Sequence, residues 1–274
     1  MSKPFPRKSV VWSGAILGGI ISAAMSARGT LFACFRNWDR NHYVLNGMDG
    51  REGLITFAGG HWFPDAPLVG VFHDIHSDRF RPEAELDLEQ FFQGCPKYQR
   101  SLADQVALQH LQLEFHEKIL HRVTTAFWDE GEYLAAADPW DDVLANGANL
   151  LDEELMEDRE TIFAQLRMSM SPDQVAFIRS LFERKISRPA PTIKLTLTEV
   201  RLLESMFQDP KAMYMELAQL QAQAETTTPE GGKESVTPDL SWLDSLDSTA
   251  EAHKAMKLCR ELFAEIGIIV PEPS

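Results

Sequence analysis

A chain of 274 residues, 44% hydrophobic and 24% charged, has room for one large or two small domains and enough apolar side chains for a sizeable core, so global disorder is excluded. The net charge of -15, from 41 acids against 26 bases, disfavours nucleic acid as a partner, because phosphate binding calls for clustered Lys and Arg. Cys34, Cys95 and Cys259 stand far apart with no C-x-x-C pair, so neither a zinc ribbon nor a disulfide framework is written here, and a reducing, cytoplasmic setting is the simpler expectation.

Lys3, Arg7 and Lys8 precede an apolar, small-residue run from Val10 to Ala27. The interruptions at Ser13, Gly14, Gly18, Gly19 and Ser22, and a length at or just below a membrane span, favour a buried element packed beside a sheet. The rival expectation is export or membrane attachment: a basic start, an apolar middle and the small-residue exit Ser22-Ala23-Ala24 outline a signal segment, and Gly14-x-x-x-Gly18 suits a close helix contact in a membrane. Leu31-Phe32-Ala33-Cys34 has the form of a lipoprotein box, but Arg28 interrupts its hydrophobic approach.

Thr30 to Phe35 reads as a strand, and Tyr43 to Leu45 as another. The turn signals Asn46-Gly47 and Asp49-Gly50 follow, because Asn, Asp and Gly tolerate positive φ. Leu54 to Ala58 and Leu68 to Ile75, rich in β-branched and aromatic residues, flank a turn-rich loop from Gly59 to Pro67 and predict a hairpin at the centre of an antiparallel sheet. Gly59-Gly60 and Gly70 match no phosphate-binding loop.

The same stretch holds His61, His73 and His76. In a hairpin the first lies roughly 16 to 26 Å from the other two, at about 3.3 Å per residue, too far for one ion. Asp74, His76 and Asp78 share a strand face with period two, and two carboxylates with an imidazole suit a divalent cation. A metal-assisted hydrolase built on these three, with His110 or His121 brought near, is one functional alternative; the plainer reading is a solvated strand end.

After Pro82 the apolar period changes from two to 3.6, predicting helices over 83–93 and, starting from Ser101, a long central helix carrying Leu102, Val106, Leu113, Leu120 and Phe127 on one side. On such a helix His110, Glu114, Glu117 and His121 fall within about 60° of one another. The di-iron pattern Glu-x-x-His is not met there, because His121 is four residues after Glu117.

Asp129 to Glu160 holds twelve acids and one base, Arg159, yet enough apolar residues to fold. Asp138-Pro139 predicts a helix start with Asp as the cap. Further starts, at Ser171-Pro172-Asp173-Gln174, Thr196-x-x-Glu199, Asp209-Pro210 and Ser248-x-x-Glu251, predict helices near 172–186, 197–207, 210–224 and 249–266. Ile193 to Leu197 and Ile268 to Val270 read as short extended segments, and residues 225–239 have linker composition.

These readings predict an α+β fold: a small antiparallel N-terminal sheet in residues 1–81, a helical part over 82–224, a linker over 225–239, and a C-terminal helix within 240–274 that docks back. No nucleophile motif, H-E-x-x-H or calcium loop is present, and no cofactor is called for. The function expected is non-catalytic: an acidic helical surface that binds a basic partner protein, as a toxin-neutralising immunity protein or a chaperone does. Its contact set would be the aromatic anchors Trp128, Tyr133 and Trp140 with Asp141, Asp142, Asp152, Glu153, Glu154 and Glu157.

Overall fold

The computed structural model describes residues 3–29, 36–47, 49–80, 87–115, 118–152, 154–156, 158–187, 192–208 and 247–272. Its first element is the helix α1, Lys8–Ser26, with twelve buried residues, Trp12, Ile16 and Ile20 among them. Strands β1 (Arg36–Asp39), β2 (His42–Asn46), β3 (Arg51–Phe57) and β4 (Leu68–Asp74) follow as an antiparallel meander. The helix α2 (Lys97–Leu102) runs through a π-helical turn at Ala103–Ala107 into a last turn, α3 (Leu108–His110), before the hairpin β5 (Gln112–Phe115) and β6 (Lys118–His121). Strands β7 (Thr125–Glu130) and β8 (Tyr133–Ala135) then join the sheet, whose order is β1-β2-β3-β4-β7-β8.

The helices α4 (Trp140–Ala145), α5 (Arg159–Leu166) and α6 (Pro172–Ser187) come next. A two-residue strand β9 (Ile193–Lys194), α7 (Leu197–Glu204), α8 (Ser248–Glu265) and β10 (Ile268–Ile269) complete the described chain. The class is therefore α+β, an antiparallel sheet in the N-terminal half with helices mostly in the C-terminal half.

The hairpin read around residues 54–75 forms the middle of the six strands, and all seven residues of β4 are buried. Its side chains divide by period two: Leu68 and Phe72 enter a core with α1 and the C-terminal helices, while Val69 and Val71 enter a second core with Phe91, Ala103 and Leu108. A strand covered on both faces needs no polar alternation, which explains its nearly continuous apolar run.

Two expectations fail here. The long helix from Ser101 ends at His110, and the sheet crosses the 81/82 boundary by recruiting β7 and β8. Left as an edge, β4 would bury unpaired backbone groups; Thr125 to Trp128 pair with Phe72 to Val69 and remove that cost. Gln112 to Phe115 alternate polar and apolar residues as a strand does, a local signal outvoted by the 3.6-residue column.

Helix starts in the C-terminal half follow the capping signals. Ser171 and Gln174 bond reciprocally, with Gln174 N donating to the Ser171 hydroxyl and Ser171 N to the Gln174 side-chain Oε1. Thr196 and Glu199 close a full capping box. The cap of α8 is Asp247 instead of Ser248, its Oδ1 accepting from Thr249 and Ala250. At α4 the capping position is Pro139, and the Asp138 carboxylate is held by Arg79 at 2.6 Å. Ile193–Lys194 and Ile268–Ile269 are both extended, and they pair in parallel with each other. The expected strand at 30–35, the helix at 210–224, the linker at 225–239 and residues 240–246 lie outside the described residues.

One member of the acidic run is structural. Asp129 is buried, with Oδ1 accepting from Leu68 N at 2.7 Å and Gln99 Nε2 at 3.2 Å, and Oδ2 meeting Lys8 Nζ at 3.2 Å. It ties α1, α2, β4 and β7 together. Asp129→Asn is expected to lower stability by about 2 kcal/mol, the scale of a charge-assisted hydrogen bond, as read by urea unfolding.

Candidate functional site

The acidic segment lies against α1. Gly14 and Gly18 leave a notch in that helix: a methyl group at Gly14 would sit 2.1 Å from the Glu154 carbonyl oxygen, and one at Gly18 2.1 Å from the Tyr43 hydroxyl. The Gly-x-x-x-Gly spacing thus serves a close approach inside this fold. The helix is long and apolar enough to cross a membrane, and 67% of its most apolar window is buried within the fold.

Glu154 turns into the notch and is 2% exposed. Its Oε1 accepts from the Tyr43 hydroxyl at 2.9 Å and lies 3.1 Å from Arg36 Nε. Arg159, the one base of the acidic run, staples the segment from the other side: it donates to the Glu154 carbonyl, the Val10 carbonyl and the Ser13 hydroxyl, each at 3.1 Å. Between the segment, α1 and β2 lies a cavity of about 310 Å³ with largely apolar walls. Its polar lining includes Ser22, Arg36, Asn46 and Glu154.

This geometry redistributes the contact set expected from sequence. Glu154 is interior, and Trp128 and Trp140 are each 3% exposed, with Trp140 packed on Phe5 and Phe127. These three are therefore core groups and not surface contacts: the apolar residues that let an acidic segment fold are the ones the fold consumes. Asp141 and Asp142, in the first turn of α4, and Asp152 are exposed. Tyr133 is 46% exposed, with the Arg7 guanidinium 5.9 Å from its ring centre. Glu153 and Glu157 lie outside the described residues.

The metal reading is overturned among the described residues, where no group of three His, Cys, Asp or Glu side chains converges. Strand β4 ends at Asp74, so Asp74, His76 and Asp78 do not share a strand face. Asp74 is buried and its Oδ1 accepts from His76 N at 2.8 Å, while His76 Nε2 meets the Asp49 carbonyl at 3.1 Å. His110 ends a helix and is exposed, and His121 lies on β6 with Nδ1 3.2 Å from the Leu108 carbonyl. The helix that would align a column from His110 to His121 stops at His110, so no such column forms among the described residues, and Glu117 lies outside them.

Two of the central histidines are interior instead. His61 packs edge-on against Trp38 and Trp62, and burial, aided by the Lys185 charge, pushes its pKa down to about 3. His73 lies edge-on to Phe80 and is likewise lowered, chiefly by burial. Lys185 is fully buried, which pushes its amine down to about 8.

Sequence reasoning missed Ser22, Arg36 and Tyr43. Ser22 continues the Gly14, Gly18 stripe at the same four-residue spacing, a visible signal for a third small residue on one helix face. Nothing local connects Arg36 or Tyr43 to Glu154, more than a hundred residues away. No family model, no curated protein and no solved structure matches the chain.

Proposed function

We propose that the chain is a non-catalytic protein-binding module whose acidic segment receives a basic partner protein, in the manner of an immunity protein or a chaperone. The observation that carries this reading is the charge left over after folding. Asp129 and Glu154 are buried in ion pairs, and Asp138 and Glu160 are held by Arg79 and Arg179. Asp141, Asp142 and Asp152 remain exposed and enter no ion pair among the described residues, although Asp141 Oδ2 accepts a hydrogen bond from Lys3 N at 3.1 Å. Solvated like charges contribute little to the fold, and their role in association is to raise the encounter rate and select partners of opposite sign. Tyr133 is the one aromatic of the expected set available at the surface. The thiols of Cys95 and Cys259 are free, which supports a reducing, cytoplasmic setting.

The test reverses Asp141, Asp142 and Asp152 to Lys and leaves Glu154 alone, since that carboxylate holds Arg36. Affinity capture with native and reversed protein, at low and physiological salt, is expected to show basic proteins bound by the native chain, weakened by salt and lost on reversal. The melting temperature should stay within a few degrees. Identical captures by both baits would refute the reading.

A further inference from the structure

The cavity along α1 has the size and the chemistry of a ligand site. A dry cavity of about 150 Å³ takes a benzene-sized molecule, so one of about 310 Å³ has room for on the order of a dozen non-hydrogen atoms. Leu17 and Ile21 of α1 form one wall; Leu45, Leu150 and Ile162 face them. Ser22 lines the same space, is 8% exposed, and its hydroxyl has no hydrogen-bond partner among the described residues. A serine in a helix ordinarily returns its hydroxyl to a carbonyl of the preceding turn, as Ser13 and Ser26 do here. A buried hydroxyl left unbonded costs free energy that a bound polar group would recover.

The charged part of the lining limits what that group can be. Arg36 and Glu154 lie 3.1 Å apart, so the two charges lining the space already oppose each other. An anionic ligand would compete with Glu154 for Arg36, and a cationic one with Arg36 for Glu154, so either would give up a close ion pair already made in a largely apolar setting. We propose that the cavity binds a small neutral amphiphile: an apolar body of about ten carbons ending in a hydroxyl or carbonyl group that hydrogen-bonds Ser22. This site is independent of the exposed carboxylates, and neither reading requires the other.

The experiment titrates the full chain with 1-decanol, and separately with decanoate and decylammonium, by isothermal calorimetry at neutral pH. One-to-one, saturable binding of 1-decanol is expected, with the two charged analogues at least tenfold weaker. Ser22→Ala should weaken 1-decanol binding roughly fivefold, the value of one hydrogen bond, without lowering the melting temperature, because it removes a hydroxyl that bonds nothing. Ile21→Trp fills the space and should abolish binding; Leu150→Trp, on the opposite wall, does the same should the first variant not fold. Absence of saturable decanol binding, equal or tighter binding of a charged analogue, decanol binding undiminished by a folded Trp variant, or an unchanged affinity in Ser22→Ala would each overturn the proposal.

Discussion

Replacing Gly14 by alanine is expected to destabilise the protein by about 3 kcal/mol, although the same change on an exposed helix face would stabilise it by about 1 kcal/mol through helix propensity. The new methyl would lie 2.1 Å from the Glu154 carbonyl oxygen and 2.6 Å from its Cα, both backbone atoms, so no rotamer change relieves the overlap. The segment must back away from α1. In doing so it strains the Arg36 and Tyr43 contacts to a carboxylate that is 2% exposed, where outright loss of one partner of a buried pair typically costs about 3–5 kcal/mol. For a chain of this size the melting temperature should fall by roughly 6–12 °C. Thermal unfolding followed by circular dichroism measures it, and a melting point unchanged or raised would show that the acidic segment does not press on α1.

A second large effect is acid destabilisation centred on His61. The ring is 6% exposed, and neither nitrogen has a hydrogen-bond partner among the described residues. Its folded pKa, about 3, lies below the ordinary 6.5. As pH falls from 6.5 towards 3, the unfolded chain takes up a proton at this residue while the folded chain does not. Stability is therefore complete above pH 6.5 and declines through that window, by up to about 1.4 kcal/mol per unit from this group alone. His73 acts in the same direction, and carboxylates titrate in the lower part of the range. The comparison with His61→Phe isolates the contribution, since phenylalanine keeps an aromatic ring against Trp38 and Trp62 and cannot be protonated. Urea unfolding at pH 7, 5.5 and 4.5 should give a shallower loss for the variant. Parallel curves for the two proteins would show that His61 is not the group responsible.

The sequence reading and the fold agree most closely where local chemistry decides the outcome. The capping boxes at Ser171 and Thr196 set helix starts because the bonds involved span three residues. The runs around β3 and β4 announce the sheet centre because a doubly covered strand must be apolar on both faces. Periodicity misled from Leu111 onward: the apolar residues of 111–127 satisfy a helical column and a hairpin plus strand equally well. Only the unpaired backbone of β4, contributed by a distant stretch of chain, chooses between them.

The site divides along the same line. The sequence alone shows that residues 129–160 are strongly acidic and able to fold, that Gly14 and Gly18 interrupt an apolar run, and that the chain is α+β. Tertiary structure alone decided which carboxylates face water: Asp129 and Glu154 turn inward to Lys8 and Arg36, Trp128 and Trp140 fill the core, and Asp141, Asp142 and Asp152 remain outside. The cavity over Ser22 is likewise a property of the assembled fold. The reason is physical: burial and pairing are set by groups 100 or more residues apart in the chain, and no short window of sequence holds both partners of such a contact.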